Sequence, residues 1–532
     1  MGGTVTPFCP HRLLEHDPKE VVSVMRIKGS AFLRVVGILT FCFGTAVTQA
    51  QNAPPLQVNV DWGKTIIVSR STPTLQVVTN PMLNPGAPIH DSSFAALKAL
   101  GADYVRYVPW LPYPKIAVAE LEPPTANKTS WNFTYIDPVT KDFLAATEGH
   151  STIVNFSTIP AWMFKTDQQV KYPADPNQVF WDYTQGTQLR DPSGKELGDY
   201  FGRLVSWYTQ GGFTDENGKR HESGYHYTFP YWEVLNEVEE EHDTTPEDYT
   251  LRYDAMVEGI RKVSPQTKFM GLALARAGLN PRFYEYFLNP KNHKPGIPLD
   301  FISYHFYAHP TLGQGLNEWQ YSFFDQADGF LATSGFILME RDRLSPETKT
   351  DADELGVILP TDYLEIAASK ALPDKIPHLY WNAASALYAY LFIGLSKQGV
   401  DVIGESQLVG YPSQYPSVSM IDYNNGKPNA RYWVLKLIKD NFHPGDTLVA
   451  TSNVRRAPPD ITAQAFLTPA GKKILVVNKR NYEVTVKLPE GFEHARLSTV
   501  DEETGDGEPR TATAEDATLK MAPFAVTVVQ AP

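Results

Sequence analysis

The chain has 532 residues, enough for a large barrel and a companion domain. Its 42% hydrophobic and 12% aromatic content fits a globular enzyme and argues against disorder. A net charge of -13 and an isoelectric point near 5.5 argue against nucleic acid as a partner.

Residues 25–50 have the order of a secretory signal. Arg26 and Lys28 supply the positive end, Val35 to Val47 the apolar stretch, and Thr48-Gln49-Ala50 a small-residue cleavage site before Gln51. Met25 is then a candidate start. Both cysteines, Cys9 and Cys42, precede the cut, so the mature chain is expected to lack thiols, disulfides and cysteine metal sites. The apolar stretch is short for a membrane span. The expected location is secreted or periplasmic, with no membrane attachment once the signal is removed. Asn127, Asn132 and Asn155 head glycosylation sequons, relevant in a eukaryotic host alone.

In the mature chain, β-rich stretches at Leu56–Val60 and Thr65–Ser69 precede a strand at Thr74–Val78. Ser92–Leu100 reads as a helix stopped by Gly101, and Tyr104–Val108 as a second strand. Further strands are expected at Thr152–Phe156, Tyr231–Leu235, Lys268–Ala273, Leu299–Phe306, Thr350–Leu355 and Val400–Glu405. Helical patterns separate them. One begins at Thr245-Pro246-Glu247-Asp248, with a hydroxyl cap, Pro in the first turn and acids where the helix dipole favours them. Strands alternating with helices imply parallel crossovers, and eight such units suit an α/β (β/α)8 TIM barrel with long loops. A doubly wound sheet is the alternative, but no Gly-rich dinucleotide loop follows the first strand.

After His443-Pro444-Gly445 the helical pattern gives way to short β stretches between turns rich in Gly, Pro and Asp. A C-terminal all-β sandwich is expected. Ile474–Val477 is branched and apolar without interruption, so at least one face of it must be covered. The expected division is an N-terminal extension and signal (1–50), strands that join the sandwich (51–72), a catalytic barrel (73–444) and the sandwich (445–532).

On a barrel, the C-terminal strand ends share one surface. That surface collects Arg106, Asn236-Glu237, His305, Tyr307, Glu354 and Glu405. Glu237 closes the fourth strand and Glu354 the seventh, so the two can face each other across the mouth. Glycosidic cleavage needs such a pair, one group to protonate the leaving oxygen and one to meet the oxocarbenium-like carbon. Glu340 and Glu405 compete for the second role. Glu340 lies in a helical run beside Arg341 and Arg343, as a salt-bridged surface residue would. Glu405 fits substrate hydroxyl binding better than attack. Glu354, in turn, stands among other acids, as in a solvated turn. Neither a His-Glu-x-x-His motif nor a Gly-x-Ser-x-Gly elbow occurs, so no metal and no serine nucleophile is expected.

The run Tyr231–Glu237, the His-x-Tyr ending of Phe301–Tyr307, Asp353-Glu354-Leu355-Gly356 and the C-terminal β region resemble the family 39 glycoside hydrolases of clan A over about residues 70–530. The resemblance implies a retaining mechanism on β-xylosides and related glycosides, without a cofactor. By position, Glu237 resembles the acid/base and Glu354 the nucleophile. Asn236 resembles the residue that binds the sugar 2-hydroxyl, Tyr307 the tyrosine bonded to the nucleophile, and His305 and Glu405 substrate contacts. Where the family pattern reads Glu-x-Trp-Asn-Glu-Pro, this chain has Leu235 and Val238 in place of Trp and Pro. That leaves the catalytic Asn-Glu intact but bears on the sugar subsite. A clan A glycosidase for another sugar, or a barrel that binds glycans without cleaving them, are the alternatives.

Overall fold

A computed structural model describes residues 56–180, 186–241, 243–362, 376–410, 415–453 and 460–532. The expected signal segment and both cysteines lie outside the described residues. Eight strands close into a parallel barrel in chain order. They are β2 (Thr72–Val78), β3 (Val105–Val108), β4 (Thr152–Val154), β7 (Tyr231–Glu233), β8 (Lys268–Leu274), β9 (Phe301–Ala308), β10 (Lys349–Val357) and β11 (Val402–Glu405). A short hairpin, β5 (Gly212–Thr214) with β6 (Arg220–Glu222), interrupts the series in a region that reads from sequence as a polar excursion. The helix Pro246–Arg261 begins as its sequence predicts, with the Thr245 hydroxyl accepting from the Asp248 N–H at 3.1 Å.

The strands have few polar residues on their outer faces because helices cover them. The inner faces are graded. Ile153, Tyr231, Met270, Phe301 and Val402 form an apolar plug where the strands enter. Tyr231 and Glu233 are two apart on β7, as are Phe301, Ser303, His305 and Tyr307 on β9, so each set points to one side. The barrel interior therefore changes from apolar to charged along the strand direction, towards the end where active sites of this architecture lie.

The remaining strands form one nine-stranded sheet. It holds β1 (Leu56–Val68), β12 (Thr447–Asn453), β13 (Ile461–Thr468), β14 (Gly471–Asn478), β15 (Val484–Lys487), β16 (Arg496–Val500), β17 (Arg510–Thr513), β18 (Thr518–Met521) and β19 (Val526–Gln530). β1 pairs antiparallel with β12 and, through Leu56 and Gln57, parallel with β15. Val486 and Leu519 share one core with Ala463, Ile474, Val476 and Val529, so the sheet doubles over itself into two layers. The alternate residues Leu475, Val477, Val526 and Val528 belong to the core of the barrel instead. Both faces of β14 are thus covered, which accounts for its unbroken apolar run. No helix among the described residues is long and apolar enough to cross a membrane.

Candidate active site

The column on β9 orders the site. Ser303 donates to Glu233, His305 meets Glu237 through Nδ1 at 2.9 Å, and the Tyr307 hydroxyl donates to Glu354 Oε2 at 2.7 Å and lies 2.6 Å from the Ser406 hydroxyl. Strict alternation on β10 would send Asp351 and Asp353 inward and Glu354 outward. The pairing of β10 with β9 slips between Asp351 and Glu354, and that with β11 between Ala352 and Leu355. This bulge brings Asp353 and Glu354 to the same interior. Glu237 is set by another irregularity: Leu235 and Glu237 have φ of 65° and 40°, in the left-handed region that branched or long side chains rarely adopt.

Arg106, 1% exposed, is the hub of the charges. Its guanidinium donates to Glu233 at 2.5 Å, Gln76 at 2.7 Å and Asn236 Oδ1 at 2.7 Å, pairs with Asp353 at 3.0 Å, and also donates to Glu354. Burial alone would raise the Glu354 pKa, but His305, Arg106 and Tyr307 outweigh it and hold the carboxyl below its ordinary value. Burial likewise opposes charge on His305, yet the carboxylates of Glu354 and Glu237 raise its pKa. Glu233 is lowered in the same way as Glu354: burial works against its charge, and Arg106 prevails. Asp351 and Asp353 are pushed well above the carboxylate range, first by burial and next by Glu233.

One oxygen of Glu237 and one of Glu354 lie within 4.8 Å of each other and of a ring nitrogen of His305. Three such groups could suggest a metal centre. Nδ1 of His305 is already engaged with Glu237 at 2.9 Å, however, and the carboxylates of Glu354 and Glu237 raise the ring's pKa against its burial. Two side chains of the trio keep some access to solvent, Glu237 at 21% and Glu354 at 9%, while His305 has none. The arrangement therefore presents two carboxyl groups, one of them held ionised, at a position that a bond in a bound molecule can reach.

Of the residues expected at this site, Glu237, Glu354, Asn236, His305, Tyr307 and Arg106 are brought together. Arg106 and His305 also make internal contacts: Arg106 with Gln76, Glu233, Asn236, Asp353 and Glu354, and His305 with Glu237 at 2.9 Å, while its Nε2 has no hydrogen-bond partner among the described residues. Glu405 also faces the interior of the protein. It is fully buried and paired with Arg431 at 2.9 Å, with burial raising its pKa to about 7 against the opposing pull of Arg431. Sequence reasoning missed Glu233, Asp353 and Ser406. It also missed Glu241, which accepts from Trp110 Nε1 at 2.6 Å and Asn236 Nδ2 at 2.9 Å. The period-two position of Glu233 after Tyr231 was the one available signal.

The GH51 arabinofuranosidase from Xanthomonas axonopodis pv. citri superposes with a TM-score of 0.60 over 90% of this chain and 100% of its own, at 12% identity. The fold is shared with glycoside hydrolases. A glucosidase from Croceicoccus marinus matches with a TM-score of 0.55 over 89% of this chain and 98% of its own, at 15% identity. A GH30 endoxylanase from Clostridium papyrosolvens C71 matches with a TM-score of 0.52 over 90% and 100%, at 14% identity. Residues 458–529 match the family model of the D-apionate lactonase C-terminal immunoglobulin-like domain. No curated protein matches the chain in sequence.

Proposed function

We propose that the chain is a secreted retaining glycoside hydrolase that works by double displacement. The observation that carries this reading is that one carboxyl oxygen of Glu237 lies within 4.8 Å of one of Glu354. Retaining enzymes hold their carboxyl groups ~5–5.5 Å apart, whereas inverting ones leave ~6.5–9.5 Å for a water. In the first step Glu354 attacks the anomeric carbon while Glu237 gives a proton to the leaving oxygen, producing a glycosyl ester on Glu354. In the second step Glu237 takes a proton from water, which displaces Glu354 and restores both groups. Arg106, His305 and Tyr307 support the first role by favouring the ionised Glu354. Asn236 is the proposed contact for the sugar hydroxyl beside the anomeric carbon.

The family 39 resemblance favours β-xylosides as substrates. The arabinofuranosidase, glucosidase and endoxylanase among the structural neighbours add arabinofuranosides, glucosides and xylan to the classes worth testing. Aryl glycosides of these sugars, followed by NMR of the first anomer released, test the reading: retained configuration is expected, and an inverted product would overturn the double displacement. The match over residues 458–529 favours a second reading, hydrolysis of a sugar lactone, in which one carboxylate would activate water against the acyl carbon. Turnover of sugar lactones with silence on every glycoside would select it. For the location, mass analysis of exported protein is expected to give an N-terminus near Gln51.

A further inference from the structure

The backbone turn that carries Glu237 also builds a second carboxyl contact. After Glu237 the chain winds into one helical turn, Val238–Glu241, with the N–H groups of Glu240 and Glu241 donating to the Glu237 carbonyl at 2.8 and 2.7 Å. This returns Glu241 to Asn236. The Asn236 amide is then gripped from both ends: Arg106 Nη2 donates to its Oδ1 at 2.7 Å, and Glu241 Oε1 accepts from its Nδ2 at 2.9 Å. Reversing the amide would set its NH2 against the guanidinium and its oxygen against the carboxyl, losing both bonds. In the gripped orientation one Nδ2 hydrogen remains for a bound molecule. The same Glu241 Oε1 accepts from Trp110 Nε1 at 2.6 Å, which fixes the carboxyl in turn.

We propose that Glu241 is a positioning residue: it locks the Asn236 amide with its spare N–H available to a sugar hydroxyl, and so sets the preference for a sugar that carries a hydroxyl at C2. The preference rests on the glycosidase reading above, whereas the locking of Asn236 does not. Glu241 Oε2 is closed off from solvent and has no hydrogen-bond partner among the described residues. Burial, and after it the charge of Glu237, push the Glu241 pKa to about 8. A neutral carboxyl still offers Oε1 to Asn236 and Trp110, and adds no second negative charge beside Glu237.

Crystal structures and kinetics of Glu241→Ala and Glu241→Gln test this, using an aryl glycoside that the wild type cleaves and its 2-deoxy analogue. In Glu241→Ala the Asn236 side chain is expected to leave its position. Its kcat/KM on the 2-hydroxy sugar should fall about tenfold, as for one lost hydrogen bond, with the 2-deoxy sugar within twofold of wild type. Glu241→Gln keeps a carbonyl acceptor and should restore both the position and most of the ratio. Glu241→Leu keeps the volume and carries the same expectations as alanine if the smaller residue is not tolerated. An unmoved Asn236 in the alanine or leucine variant, or an equal fall on both sugars, overturns the proposal. If Asn236 moves as expected but no glycoside is cleaved by any form, the glycosidase reading fails and the locking role stands.

Discussion

In the proposed double displacement Glu354 attacks as a carboxylate, and Tyr307 is the neighbour whose removal tests this most cleanly. Its hydroxyl donates to Glu354 Oε2 and contributes to the lowered pKa, after the larger effects of burial, His305 and Arg106. Because that pKa is depressed, activity that needs the ionised form persists on acidification and is lost as pH falls through it. Tyr307→Phe removes a stabiliser of the charge, so the acid limb of kcat/KM should move to higher pH. A limb that stays in place would show that Glu354 does not govern it. The two carboxyl groups should also fail differently. Glu237→Ala is expected to lose about 10²–10⁴-fold on poor leaving groups and much less on activated aryl ones, since general acid catalysis matters least where the leaving group is already acidic. Azide should rescue Glu237→Ala with retained configuration and Glu354→Ala with inverted configuration, and the opposite outcome would exchange the roles. The sequence made Glu237 visible because it follows an apolar strand, whereas Glu354 stood among other acids. It did not show the internal contacts of Arg106 and His305. Their partners, Glu233, Asp353 and Gln76, come from three other strands whose spacing in the chain carries no trace of the encounter.

At the scale of elements, most of the eight strands were legible as short apolar runs bounded by helix or turn signals, β10 with its acids being the exception. The bulge in β10 was not, since nothing in Asp351-Ala-Asp-Glu-Leu announces a slipped register, and yet it is the bulge that turns Glu354 inward. The pairing of Glu405 was hidden for a related reason. Its partner Arg431 sits on a later helix, Ala430–Asn441, and the pairing is a product of helix packing. Packing between helices also gives a prediction. The helices Lys195–Thr209 and Pro246–Arg261 meet through backbone at glycines: a Cβ on Gly198 would stand 2.3 Å from the Ala255 carbonyl oxygen, and one on Gly259 would stand 1.9 Å from that of Gly198. Backbone cannot yield as a flexible side chain does, so Gly198→Ala and Gly259→Ala should each destabilise by about 1–3 kcal/mol in chemical denaturation. Gly329, in the helix Leu316–Leu344, has nothing within 4 Å of such a Cβ. Gly329→Ala should therefore be neutral or stabilising, by up to about 1 kcal/mol from helix propensity. Equal costs at all three glycines would remove the close approach as the explanation.

For the whole molecule, the sheet after the barrel is fastened by its alternate residues. Phe466, fully buried, faces Phe442 at the end of the last barrel helix with ring centroids 4.3 Å apart. Leu475, Val477, Phe524, Val526 and Val528 extend the same contact, and Arg480 donates to the Gln320 carbonyl of the helix Leu316–Leu344 at 2.6 Å. β1, which precedes the barrel in sequence, is paired into the same sheet, so chain on both sides of the barrel is committed to it. Removing the sheet would leave that apolar face of the barrel in water, and an exposed face of this kind promotes association. Barrel and sheet should therefore unfold together. In denaturant titrations, loss of catalytic activity and loss of β-sheet signal are expected to coincide in one transition, a standard test of cooperativity. Phe466→Ala should shift both signals by the same amount, about 3–5 kcal/mol, because it empties a buried site shared by the two parts. Two separated transitions, with activity surviving the first, would mean that the sheet is an independent unit resting against the barrel. A Phe466→Ala variant that moved the β-sheet signal alone would lead to the same conclusion.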